Sequence, residues 1–164
     1  AAALLALSSR AIVLRDGSVQ AYGWSDEVLH EREISGDDSC LNVFEVEKPE
    51  PDRATGVTRV RTASGMPIFL PSDRIRGARF PLVIRIGGEE ILLFTQAPSA
   101  LSARNVLHGP IMELTSADGA ADVLVGTPTP LRVRLTEAST VDLGLKEGQT
   151  VWLAVRTRSI AVLG

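Results

Sequence analysis

The sequence predicts a mainly β chain folded as two small barrels side by side, and three observations carry that reading. Short runs of β-branched and aliphatic residues recur along the chain, each bounded by Gly, Pro, Asp or Asn. A plan repeats: Leu82-Val-Ile-Arg-Ile86, turn, Ile91-Leu-Leu93 parallels Leu153-Ala-Val-Arg-Thr157, turn, Ile160-Ala-Val162. The period is roughly 65–70 residues, longer than a solenoid unit. A length of 164 residues also suffices for two small cores.

The elements follow in order. Ala1-Ala-Ala-Leu-Leu-Ala-Leu7 is too short and too poor in basic residues for a membrane span or a signal peptide. It reads as the end of a buried helix in a longer protein. Ala11–Leu14 and Ser18–Tyr22 flank Asp16-Gly17, a hairpin signal, because Gly supplies the positive φ of a tight turn. Gly23 ends that strand, and Ser25 caps a short helix through Leu29. Cys40–Val46 alternates as a half-buried strand does, and residues 48–55, with Pro49 and Pro51, read as a loop. Val57–Thr62 and Met66–Leu70 are strands, and Phe80–Ile86 with Glu90–Thr95 reads as a hairpin around Gly87-Gly88. Pro98–Leu101 links to the second unit. There Val106–Leu114 bends at Gly109-Pro110, Ala121–Val125 and Leu131–Leu135 follow, and Thr136–Asp142 is a short helix with Gly144 near its C-terminus. Val151–Arg156 and Ser159–Leu163 complete it.

Composition excludes several functions. A net charge of −3 argues against an extended nucleic-acid or anionic-membrane surface, while leaving room for one local basic pocket. Two Trp, one Tyr and four Phe are too few for the aromatic platforms of single-strand binding. Cys40 stands alone, so no internal disulfide forms and a reducing compartment is expected; in its strand it reads as a small core residue. His30 and His108 lack neighbouring ligands or triad partners. The sequence holds no Gly-x-x-x-x-Gly-Lys-Ser/Thr loop, so this chain is not expected to be an enzyme by itself.

One constellation points to a ligand. A tetrahedral oxyanion must trade its hydration for several donors at once, from hydroxyls, backbone N–H groups and Arg or Lys. Ser102-Ala103-Arg104-Asn105 is one such cluster. Thr136, opening its helix, offers a hydroxyl beside free N–H groups, and Arg156-Thr157-Arg158 lies at the turn between the last two strands. A plainer alternative stands beside this. Ser102 and Asn105 shape a turn, and the arginines are a solvated strand end.

The third region resembles the molybdate-binding Mop, or TOBE-type, domain. The matching residues are Ser102-Ala-Arg-Asn105, Gly109, Thr136, Val141-Asp-Leu-Gly-Leu145, Gly148 and Val151-Trp-Leu-Ala-Val-Arg156. Independently, Arg10–Gly23 followed by Asp26-Glu-Val-Leu29 resembles the tail of an ABC transporter nucleotide-binding domain. Together they resemble the C-terminal regulatory part of the ATP-binding subunit of a molybdate importer. That resemblance implies an ATPase tail at 1–34 and two OB-like subdomains at 36–98 and 99–164. It implies a sensor of molybdate or tungstate with no other cofactor, ATP being used only in a domain outside this chain. It also implies a homodimer with the oxyanion at its interface, a membrane permease as partner, no nucleic acid, and a place at the cytoplasmic face of the inner membrane. Ser102 and Arg104 match anion-contacting positions of the motif, and Thr136 a hydroxyl position. Arg156 stands where the family often has Lys, and Thr157 and Arg158 where small residues are common; Arg keeps the charge but presents a wider planar fork. The competing expectation is a dimerisation module that binds no oxyanion.

Overall fold

The computed structural model describes residues 10–15, 18–24, 40–52 and 55–163. Strands β1 (Arg10–Arg15) and β2 (Ser18–Trp24) form an antiparallel hairpin, with β2 running past Gly23. The expected Asp16-Gly17 turn, the helix at 25–29 and His30 lie outside the described residues.

The other described residues are built on two five-stranded sheets. The first repeat supplies β3 (Leu41–Asp52), β4 (Val57–Thr62), β5 (Pro67–Pro71) and β6 (Leu82–Gly87). A short strand, β7 (Leu92–Phe94), follows. The second repeat supplies β8 (Asn105–Ala117), β9 (Ala120–Val125), β10 (Leu131–Thr136), helix α1 (Glu137–Asp142), β11 (Thr150–Val155) and β12 (Ala161–Leu163). The strand orders are β12-β6-β3-β4-β5 and β7-β11-β8-β9-β10, so the two sheets share one plan, with β3 corresponding to β8 and β5 to β10. The chain is mainly β, with curled, OB-like tandem sheets, as expected.

Curling follows from the long strands. β3 pairs with β6 over residues 41–46 and with β4 from Val46 onward. β8 pairs with β11 over residues 105–110 and with β9 from Ile111 onward. One strand serving two neighbours along its two halves must bend, and β8 bends at Gly109-Pro110. There a Cβ on Gly109 would lie 2.4 Å from the Gly126 carbonyl oxygen. In β3 the expected loop at 48–55 is replaced in part by strand reaching Asp52, with the register shifting between Glu47 and Glu50. A bulge accommodates Pro49, which has no N–H to give the ladder.

The hairpin expected at Gly87-Gly88 is not formed. A two-residue hairpin needs positive φ, but Gly87 has φ −67° and Gly88 is not among the residues of positive φ. A single 3-10 turn at Gly88–Glu90 instead carries the chain out of the first sheet, and β7 pairs with β11 of the second. The turn at Thr157–Ser159 does the same in reverse, and β12 pairs with β6. Each sheet is thus completed by a strand from the other side of the Pro98–Leu101 link.

The cores merge accordingly. Val46, Val60, Ile68, Leu70, Ile84 and Ile86 from the first sheet join Ile111, Val123, Val133, Val151 and Leu153 from the second in one apolar cluster. Strand periodicity places them: Ile68 and Leu70, two apart, are both fully buried, while Phe69 between them is only half-buried.

The Gly109 contact is testable. Gly109→Ala drives a methyl into backbone and is expected to cost about 2 kcal/mol or more in urea unfolding. Gly126→Ala, whose Cβ meets the Met112 sulfur at 3.0 Å, costs less because that side chain moves aside.

Candidate anion-binding site

The ladder between β8 and β11 sets Val155 opposite Asn105. Arg104 and Arg156 are therefore the next residues off two adjacent strand ends, and Ser102-Ala103-Arg104 arrives beside Arg156-Thr157-Arg158. Just upstream, Ala100 has φ +56°, a left-handed turn that redirects the chain into this approach. Ser102, Arg104, Arg156 and Arg158 are exposed, and Ala103 and Thr157 half-buried. Two of the three expected clusters are thus brought together.

The first repeat closes one side of this corner. Arg158 faces the Asp73 carboxylate at 3.7 Å, and Arg74 donates to the Ile160 carbonyl at 3.1 Å. Both come from the 3-10 turn Ser72–Ile75 that follows β5. Arg74, Arg104, Arg156 and Arg158 against Asp73 give a local surplus of positive charge on a chain whose net charge is −3. The contribution of Asp73 and Arg74 was not legible in the sequence, because nothing local ties residue 74 to residue 160.

Asn105 differs from its neighbours. It is buried, its Oδ1 accepts from the Phe69 N–H at 2.7 Å, and its Nδ2 donates to the Phe69 carbonyl at 3.1 Å. Its amide thus caps the open edge of β5. Thr136 stands elsewhere. It caps α1 as expected, accepting from the Ser139 N–H at 3.2 Å and sharing a 2.7 Å hydroxyl bond with Ser139. The ladder sets Thr136 opposite Ala120, itself opposite Ala117 at the far end of β8 from Asn105. At about 3.3 Å per residue that is on the order of 40 Å along the strand path. Within one chain Thr136 is not part of the Ser102–Arg158 corner.

The corresponding corner of the first repeat is built differently. Asn42, fully buried, donates to the Ile86 and Arg132 carbonyls at 3.2 and 2.9 Å and accepts from the Arg132 N–H at 2.7 Å. It caps the edge of β10 as Asn105 caps β5. The spacing Ser39-x-x-Asn42, repeated as Ser102-x-x-Asn105, is the sequence signal for this pair. Gly88, Glu89 and Glu90 occupy the turn that Thr157, Arg158 and Ser159 occupy in the other corner. A Cβ on Gly88 would lie 2.8 Å from the Cys40 sulfur, so the thiol fills the space beneath that turn. Burial pushes the Cys40 thiol up to about 11, with the Asp122 carboxylate adding to the effect. Asp122 in turn pairs with Arg134 at 2.9 Å. His108 packs its ring 6.2 Å from that of Trp152.

Residues 101–161 match the TOBE domain family. Two relatives are similar to this chain over nearly its whole length. The molybdenum import ATP-binding protein ModC of Rhizobium etli is 28% identical over 153 residues, covering 92% of this chain and 43% of its own length. That of Mesorhizobium japonicum is 29% identical over 161 residues, covering 93% and 42%. The chain spans less than half the length of these relatives. A solved structure of the cytoplasmic molybdate-binding protein ModG, in its PEG-grown form with molybdate bound, matches with a TM-score of 0.59 at 20% identity. It covers 74% of this chain and 94% of its own, a likeness of fold.

Two measurements check the geometry. Thr136→Ala is expected to lower stability by about 1 kcal/mol through loss of the cap. Cys40 is expected to resist alkylation in the native state at pH 8 and to react once guanidinium unfolds the chain. Because its folded value lies above the unfolded 9.0, its contribution to stability is complete below pH 9 and is lost as pH rises toward 11.

Proposed function

We propose that this chain is the regulatory part of the ATP-binding subunit of a molybdate importer, and that it binds molybdate or tungstate. The observation that carries the reading is the corner where Ser102 and Arg104 meet Arg156, Thr157 and Arg158 under an arginine surplus. Hydroxyls and guanidinium donors there suit a tetrahedral dianion. Similarity to ModC and to molybdate-bound ModG supports the choice of oxyanion.

Thr136 joins this site only from a second copy. A homodimer that sets the far end of one sheet against the Ser102–Arg158 corner of the other completes the donor set, and binding there is how cytoplasmic oxyanion would restrain transport. In this reading the longer protein is a molybdate-transporting ATPase, held by its permease at the cytoplasmic face of the inner membrane, with ATP bound outside this chain. The division at 1–34, 36–98 and 99–164 belongs to the same proposal, with β7 and β12 exchanged between the last two units.

A second reading has its own support. Asn105 is committed to Phe69, the Thr136 hydroxyl to Ser139, and Arg158 faces Asp73. A module with its polar groups so engaged serves dimerisation without a ligand.

Calorimetric titration with molybdate, tungstate, sulfate and phosphate separates the two. Sensing gives micromolar-range binding of molybdate and tungstate alike, weaker binding of the smaller sulfate, and a loss of about tenfold or more in Arg104→Ala and in Ser102→Ala. Silence toward every oxyanion leaves the dimerisation module. Sedimentation tests the shared site: a dimer, or a shift to dimer with molybdate, is expected, and a monomer under both conditions excludes it.

A further inference from the structure

Asn105 lies within the motif that holds the proposed anion, yet its amide faces away from the corner. Both of its polar atoms are spent on the backbone of Phe69, a residue of the other repeat. Phe69 is set opposite Arg59 in the β4–β5 ladder, and β5 is an edge of its sheet. An edge strand leaves N–H and C=O groups without a ladder partner, and Asn105 satisfies one such pair. In return β5 fixes the point at which the Ser102–Arg104 segment enters β8. The Ser72–Ile75 turn that continues β5 carries Asp73 and Arg74 onto the other side of the same corner. Phe69 is thus the place where the first repeat grips the anion loop.

We propose that Asn105 is a positioning residue for the anion site, acting through the Phe69 backbone and touching no ligand. Asn42 is its built-in control. It makes the mirror-image clamp on Arg132, with a burial and bond lengths that match, at the corner whose turn carries Gly88, Glu89 and Glu90. Loss of either clamp removes the same pair of bonds to an edge-strand residue, and Asn42 in addition gives up its bond to the Ile86 carbonyl, so Asn42 is a control at least as demanding on stability and differs in which corner it holds. The inference rests on the proposed oxyanion reading.

The test is molybdate titration of the 164-residue chain and its variants, each first shown to be folded by circular dichroism. Asn42→Ala is expected to lose at least as much thermal stability as Asn105→Ala, yet only Asn105→Ala weakens molybdate binding, by at least about tenfold, as for other supporting residues around a ligand. Phe69→Pro and Phe69→Ala form a second pair. Both remove the ring, but only the proline removes the N–H that Asn105 accepts, at an edge position where proline is tolerated. Weaker binding in Phe69→Pro than in Phe69→Ala is expected, although Asn105 is intact in both. Equal affinity in that pair overturns the positioning role, as does an Asn105→Ala that binds like the wild type. A wild type silent toward molybdate and tungstate removes the function itself and this inference with it, an outcome distinct from a binding wild type beside unaffected variants.

Discussion

The two five-stranded sheets hang on two long strands, each bonded to one neighbour along its first half and to another along its second. A strand used this way cannot stay flat. The bend in β8 is possible because Gly109 lets backbone meet backbone, and the shift in β3 because a bulge absorbs Pro49. From these bends come the curled sheets, the merged core and the separation of the two ends of β8. One end carries Arg104 beside Arg156. The other leads to Thr136 and the helix that follows it.

The candidate site is a product of the fold more than of a local motif. Ser102–Asn105 and Arg156–Arg158 are some fifty residues apart in sequence and become neighbours only through the β8–β11 ladder. Asp73 and Arg74 arrive from the first repeat. The polar groups at the junctions show how two sheets are held without a continuous ladder. Asn42 and Asn105 each insert a side-chain amide where a sixth strand would otherwise bond, and Thr62 accepts from the Thr129 hydroxyl at 2.8 Å across the same boundary. Buried amides with every partner in place specify one docking geometry, since any slip would leave them unsatisfied.

Much of the fold was legible because strands announce themselves by period and turn residues. The hairpin of β1 and β2, the bend at Gly109-Pro110, and the helix capped by Thr136 all follow from local chemistry. The destination of β7 and β12 was not legible. Gly87-Gly88 looks like a hairpin turn in letters, and only its extended backbone, with φ −67° at Gly87, shows that it leads away from β6. Of the site, the donor residues could be named in advance, but their roles could not. Asn105 and Arg104 are adjacent letters, and strand geometry turns one inward to Phe69 and the other out to solvent.

The exchange of β7 and β12 also bears on how the chain reaches its native state. During synthesis the first repeat is complete in sequence once β6 has emerged, yet the edge of its sheet beyond β6 waits for residues 161–163, more than seventy positions later. Until then β6 is an open edge of the kind that invites wrong partners. Closure depends on contacts distant in sequence, which slows folding. The two repeats therefore mature together once residues 161–163 have been made, not one after the other.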